Sequence, residues 1–230
     1  METEFLTSEA VVVPAYLAKT YWWAYVHPRA VKVFERQWLV NLILWGNFGR
    51  LRDAALSAMG ERLEGRTLQI ACVYGDLTPR LAARVAPGGT LDVVDVLPVQ
   101  LGNLARKLPP DAPVRLLHGD SARIPTPAAS YDRVLVFFLL HEQPAEARAA
   151  TLAEAMRVLK PGGKLVIVDY HEPRALHPLR GFMRALLACL EPYALDLWGR
   201  DLAAWLPAGV TCSSPRLFFG GLYQMLELSR

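Results

Sequence analysis

The stretch LQIACVYGDLTPRLAARVAPGGTLDVVDV, residues 68–96, decides the fold. It opens with a β-rich run, LQIACV (68–73), that ends in a turn containing Gly75. PRLAARVA (79–86) reads as a helix, stopped by Pro87-Gly88-Gly89. TLDVVDV (90–96) is then a second strand. Strand, turn, helix and strand in such close succession form the unit of a parallel sheet. Two consecutive strands running the same way need a crossover between them, and a helix supplies it.

The pattern continues outward. Residues 98–107 read as a helix and VRLLHGD (114–120) as a third strand. DRVLVFFLL (132–140) is an uninterrupted apolar run, as a central parallel strand covered on both faces requires. Residues 145–159 form a helix ended by Lys160-Pro161-Gly162-Gly163, and KLVIVDY (164–170) is a fifth strand. The end of the chain predicts a closing hairpin: RLFFG, a Gly220-Gly221 turn, then LYQMLEL. The expectation is an α/β fold with a mostly parallel seven-stranded sheet and a C-terminal antiparallel hairpin. Right-handed crossovers bring the strand C-termini to one edge, where ligands bind.

Residues 1–62 are expected to form an aromatic-rich helical cap, and residues 63–230 the core, with an amphipathic insertion at about 172–206. Four of the six tryptophans lie between residues 14 and 60, and WLVNLILW (38–45) is apolar all round, so something must cover it. In the insertion, Leu179, Phe182, Met183, Leu186, Leu187 and Leu190 recur at helical spacing, with Arg180 and Arg184 opposite. The preferred reading of that stripe is a helix packed on the sheet; a membrane-contacting face is the alternative.

Composition narrows the function. At 230 residues and 53% apolar the chain is globular, and a net charge of +3 gives no case for nucleic acid. The basic excess is local: six basic residues against two acidic ones from Ala10 to Asp53. Three scattered cysteines without a CxxC pair predict neither a disulfide framework nor a structural zinc. The acidic start METEFLTSEA is unlike a secretory leader, and no apolar run has spanning length. A cytoplasmic protein, soluble or peripheral on the inner face of the membrane, is expected.

The chemistry should gather at the strand ends. In the first turn glycine lets backbone N–H groups approach a nucleotide, and Val73, Tyr74 and Gly75 are the candidates. Twenty residues after Gly75, Asp95 ends the second strand, where an acid accepts hydrogen bonds from both ribose hydroxyls; the other reading is a helix cap. Asp120, Ser121 and Ala122 end the third strand, where a carboxylate and amides can meet an adenine; a cap is again the alternative. Val96 and Phe138 complete the expected cofactor wall.

These pieces in this order resemble the class I S-adenosylmethionine (SAM) methyltransferases, which have a Rossmann-like fold. Arg157-Val158-Leu159-Lys160-Pro161-Gly162-Gly163 is similar to the RVLKPGG signature of the ubiquinone/menaquinone C-methyltransferase (UbiE-like) branch. That branch carries an acidic residue in the first strand and a turn of the type AGTG. Here Gln69 stands in the acidic place and Cys72-Val73-Tyr74-Gly75 in the turn, which crowds the methionine half of SAM and puts ordinary methyl transfer in doubt.

The altered turn, the YLAKTYWWAYVHPRAV opening and the LYQMLELSR ending resemble the rhodoquinone biosynthesis (RquA) family over nearly the whole chain. The resemblance implies conversion of ubiquinone to rhodoquinone: a ring methoxy group is replaced by an amino group, with SAM as amino donor and Mn²⁺ assisting. A lipid quinone is then the partner, with no nucleic acid. Its headgroup and tail need an apolar pocket, for which Tyr21, Trp22, Tyr25, Trp45 and Phe182 are candidates; ordinary core is the alternative. His141 and His171, after the fourth and fifth strands, are candidates for proton transfer, and Tyr74 for orienting the SAM amino group. His141 with Glu142 is the candidate metal pair, imidazole and carboxylate being ligands that suit manganese. Two alternatives remain beside this reading: a conventional methyltransferase acting on a quinone or hydrophobic phenol, and a non-catalytic scaffold that binds lipid.

Overall fold

The computed structural model describes residues 6–7, 11–20, 28–206 and 210–230. Among the described residues, four helices precede the sheet proper: α1 (Ala15–Thr20), α2 (Pro28–Phe34), α3 (Gln37–Ile43) and α4 (Phe48–Met59), after a two-residue strand β1 (Leu6–Thr7). Then come β2 (Arg66–Ile70), α5 (Leu77–Ala82), β3 (Thr90–Asp95), α6 (Pro98–Ala105), β4 (Val114–His118), β5 (Tyr131–Phe137), α7 (Ala145–Val158) and β6 (Leu159–Tyr170). The chain closes with α8 (Arg180–Leu190), α9 (Ala194–Gly199), β7 (Thr211–Cys212), β8 (Arg216–Phe218) and β9 (Tyr223–Ser229).

The strand order is β1-β4-β3-β2-β5-β6-β9-β7, with β8 also pairing with β9. From β1 to β6 every pair is parallel, and β9 runs antiparallel to β6, β7 and β8. The seven expected strands are present, and the two-residue pieces β1 and β7 extend the edges. The closing hairpin turns at Phe219–Gly221, in register Phe218↔Tyr223.

The central strands are apolar throughout because both faces are covered. In β5, Val134 and Val136 face the α7 side while Leu135 and Phe137 face the α4 side; β6 repeats this with Leu165 and Ile167 against Val166 and Val168. Helix α4 lies in the core itself, with Leu51, Ala55 and Met59 buried against strand residues such as Phe137 and Val168. Helices α1 to α3 stand further out, above the strand C-termini.

Two strands leave the sheet through residues in the left-handed region. Ala71 (φ 69°) follows β2 and Phe138 (φ 52°) follows β5. Each still donates one last ladder bond, to the Val94 and Val168 carbonyls. A side chain in this conformation costs on the order of 1–3 kcal/mol and is held only where the surroundings over-determine it. Both bends turn the chain into the same space at the C-terminal edge of the sheet.

Candidate functional site

That space is a cavity of about 640 Å³ bounded by the ends of β2, β3, β4 and β5, the outer helices and α8. Val73, Tyr74, Asp95, Val96, Asp120, Ser121 and Phe138 all line it. Gly75 and Ala122 lie just behind the wall. The Gly75 amide donates to Glu35 and the Ala122 amide to the Asp120 carboxylate. Gly75 adopts φ 81°, and a Cβ there would meet the Phe48 ring at 2.8 Å, so the position requires glycine.

The Asp95 carboxylate bridges two loops. Oδ2 accepts from the Cys72 amide at 2.7 Å and Oδ1 from the Leu97 amide at 2.8 Å. A carboxylate has about four acceptor positions, so both oxygens keep capacity for hydroxyl donors. The bond to Leu97, two residues on, is the cap-like role, so the two readings of Asp95 coexist. Burial pushes its carboxyl up to about 6, against which the Cys72 and Leu97 amides pull. Burial also raises the Cys72 thiol, and Asp95 raises it further, so that thiol stays neutral.

The turn between β2 and α5 is held from outside by the end of α2. Glu35 Oε1 accepts from the Gly75 amide at 3.1 Å and from Lys107 Nζ at 2.8 Å, and Oε2 accepts from Asn103 at 2.6 Å. Lys107 also donates to the Gly75 carbonyl at 2.9 Å. The Tyr74 ring stacks on Phe34 at 6.0 Å, and its hydroxyl accepts from Gln100 at 2.8 Å. Gln69, fully buried, ties Thr78 to the Ala71 carbonyl across the same turn.

His141 sits in a 3-10 turn after β5 and is buried, lining the cavity beside Phe138 and Tyr170. The Tyr170 ring meets it edge-on at 4.9 Å. Its Nδ1 is 2.8 Å from Asp169 Oδ1. Asp169, the next-to-last residue of β6, is itself fixed by the Leu140 and Tyr170 amides. Burial works against a charged imidazole, but the Asp169 carboxylate outweighs it and lifts His141 to about 9. At neutral pH the ring is therefore an imidazolium with Nδ1 committed to Asp169, and its Nε2–H is the group left to act as a donor.

Glu142 Oε1 lies 3.8 Å from that Nε2. The pair alone offers one ring nitrogen and one carboxylate, fewer donors than a hard divalent cation takes. Among the described residues no group of three or more His, Cys, Asp or Glu side chains is placed to hold a metal ion. No step below is routed through a metal.

His171 stands apart from these residues. Its Nδ1 donates to the Gly221 carbonyl at 2.8 Å, and it lines a separate cleft of about 400 Å³ with Arg180 and Trp198. Of the five aromatics expected around the substrate, Trp45 and Phe182 line the main cavity and meet edge-on at 5.8 Å; Trp45 also donates to the Met183 sulfur. Tyr21, Trp22 and Tyr25 lie outside the described residues. Two further residues complete the site, Asp169 behind the wall and Tyr16 in it. Asp169 had a sequence signal, an acid inside an apolar strand end. Tyr16 belongs to the aromatic cap expected from the sequence; its hydroxyl, hydrogen-bonded to Gln143, is pushed up to about 12 by burial.

Comparison with known proteins accords with this geometry. Residues 67–163 match the family model described as a methyltransferase domain. Among solved structures, the N-methyltransferase NodS from Bradyrhizobium japonicum WM9 superposes with a TM-score of 0.59 at 15% identity, covering 80% of this chain and 98% of that one. A SAM-dependent methyltransferase from Aquifex aeolicus gives 0.57 at 19% identity, covering 88% and 97%. The fold is that of the class I SAM-dependent methyltransferases. Demethylmenaquinone methyltransferases from Staphylococcus aureus strains are 32% identical over 142 residues, 62% of this chain and 57% of theirs. The chain thus spans a little over half the length of these curated relatives. On the methyltransferase fold, the cavity occupies the edge at which strand order reverses between β2 and β5, the switch point where such sheets bind ligands.

Proposed function

We propose that the protein is a SAM-dependent quinone-modifying enzyme that converts ubiquinone to rhodoquinone by replacing a ring methoxy group with an amino group. The observation that carries the reading is the first turn. A methyltransferase fold that keeps Asp95 at its ribose position has here lost the open glycine turn beside it: Tyr74 fills the turn, and Glu35 takes the Gly75 amide. The nucleoside end of the site is kept while the amino-acid end is rebuilt. The likeness to proteins named demethylmenaquinone methyltransferases supports a quinone as substrate.

SAM, when bound, would supply the nitrogen. Asp95 would accept hydrogen bonds from its ribose hydroxyls and Asp120 from its adenine amino group, with Val96 lining the wall beside them. The quinone headgroup lies against Phe138 and Tyr170, and the apolar wall from α3 and α8 takes the tail. As an amine adds to the ring carbon that bears the methoxy group, negative charge builds on the quinone oxygen. The His141 imidazolium donates to that oxygen, and Asp169 holds the donor charged and in place. His141 therefore acts as an acid in this step rather than as the proton acceptor. The charge returns to the ring as the carbon–oxygen bond breaks and the methoxy group leaves as methanol with the proton the amine gives up. The bond from nitrogen to the SAM carbon must then break to leave the amino group on the ring. The enzyme would work at the inner face of the membrane, where its substrate resides.

The test is incubation with ubiquinone and SAM labelled with heavy nitrogen in its amino group, with and without Mn²⁺, followed by mass spectrometry of the extracted quinone. A lighter quinone carrying the label is expected. An unchanged quinone, with a phenolic acceptor methylated and S-adenosylhomocysteine released, would establish a methyltransferase instead, and no turnover with either acceptor would leave the scaffold.

A further inference from the structure

Helix α3 poses a physical problem. Five of its seven residues, QWLVNLI, are apolar, yet none is buried. Trp38 is 62% and Leu42 63% exposed, one helical turn apart on the same face. Across the cavity mouth, Phe182 and Leu190 of α8 are also exposed. Scattered apolar residues at a surface are ordinary, but these form one rim, and such a patch marks a contact with something apolar.

The rim is continuous with the cavity. Leu42, Ile43, Phe182 and Leu190 are exposed and at the same time line the interior, so apolar surface runs unbroken from outside to inside. Exposed basic residues flank α3, while Glu191, beside Leu190, is half-buried and lines the cavity. Lys32 and Arg36, exposed immediately before α3, have no ion-pair partner among the described residues. Acids near α3 are engaged elsewhere: Glu35 turns inward to Gly75 and Lys107, Asp53 pairs with Arg52, and Asp76 with Arg52 and Arg80.

We propose that α3 and the outer edge of α8 dock on an anionic lipid bilayer and set the cavity mouth against it. An apolar substrate then passes from lipid into the cavity without crossing water. An amphipathic contact of this kind joins shallow apolar insertion to attraction between basic residues and acidic headgroups. Among the described residues no helix is long and apolar enough to cross a membrane, so the contact is one of surface. This docking surface presupposes the reading of the cavity as a lipid pocket, but its test needs neither SAM nor quinone.

The experiment is flotation of the full chain with vesicles of phosphatidylcholine alone or mixed with phosphatidylglycerol. Binding to the anionic vesicles, weakened by salt, is expected. The double variant Trp38→Ser/Leu42→Ser should lower it by at least about tenfold, the order set by removing two inserted side chains. Lys32→Glu/Arg36→Glu should abolish the preference for anionic lipid. All four side chains are exposed, so the variants should melt like the parent, which thermal unfolding checks. A folded protein that ignores both vesicles, or a serine variant that binds as well as the parent, overturns the proposal. So does a dimer in lipid-free buffer that the serine variant converts to monomer, since the rim would then face a second copy. Failure of the quinone assay beside intact vesicle binding would overturn the reaction and leave the surface standing.

Discussion

Asp95 and Asp169 are each the last or next-to-last residue of a strand, and each has a distinct task that one substitution isolates. Asp95→Asn keeps the shape but loses an acceptor and the charge. Hydrogen bonds to a charged group contribute about 1.5–3 kcal/mol, so SAM affinity should fall roughly 10- to 100-fold by calorimetry. Unchanged affinity in the folded variant would move the cofactor elsewhere. Asp169→Asn tests the origin of the His141 charge. With the carboxylate gone, burial acts on the ring with much less opposition, and the midpoint should drop from about 9 to well below its present value. Proton NMR of the His141 ring reads this directly, and the alkaline limb of the pH–rate profile should move with it. A midpoint that stays near 9 would show that Glu142 and Glu191 hold the charge instead.

Strand β3 carries two acids three residues apart, and the element shows why only one belongs to the site. Asp95 stands at the C-terminal edge with the cavity. Asp92 is fully buried lower in the sheet, where Arg115 grips it with two bonds of 2.7 and 2.6 Å and Tyr131 and Arg66 add two more. Burial alone would raise its carboxyl, but Arg115, Tyr131 and Arg66 hold it below the ordinary carboxylate range. Asp92→Ala takes an acceptor from the buried Tyr131 hydroxyl and leaves two partly exposed guanidiniums to turn to solvent, and should cost about 1–3 kcal/mol in chemical denaturation. The SAM affinity of the folded fraction should be unaltered. A loss of affinity matching that of Asp95→Asn would erase the distinction between the two acids.

Sequence period alone located the elements well. The strands from Leu68 onward, the helix of 145–159 and the hairpin at Gly220-Gly221 all follow from apolar alternation and from Gly and Pro breaks. Asp95 and the turn before α5 followed from spacing. What spacing cannot encode is proximity across the fold. Glu35 reaches Gly75 from 40 residues away, and His141 meets Asp169 across 28. Both pairings arise only when crossovers bring strand ends to one edge. His171 shows the converse: its place after a strand suggests the common edge, yet antiparallel β9 diverts the chain and ties it to the Gly221 carbonyl.

The proton balance of the whole molecule follows from the same burial. Asp95 rises from 3.8 to about 6 in the folded chain, and His141 from 6.5 to about 9. Both groups bind their proton more tightly folded than unfolded. The stability each contributes is complete below its unfolded value and is lost as pH rises through its folded value. Ligand-free protein should thus lose stability in two windows, from about 4 to 6 and from about 6.5 to 9. Paired carboxylates work the other way: Asp76 and Asp132 are held low by Arg and Lys partners despite partial burial, and their contribution disappears in acid. Maximum stability should therefore lie on the acid side of neutrality. Ribose hydroxyls donate to the ionised form of Asp95, so saturating SAM should remove the lower window and leave the upper one. Melting temperatures from about pH 4 to 10, with and without SAM, measure both. A flat profile between pH 7 and 10 would mean that His141 is neutral in the native state, and its role as donor to the quinone oxygen would fall with it.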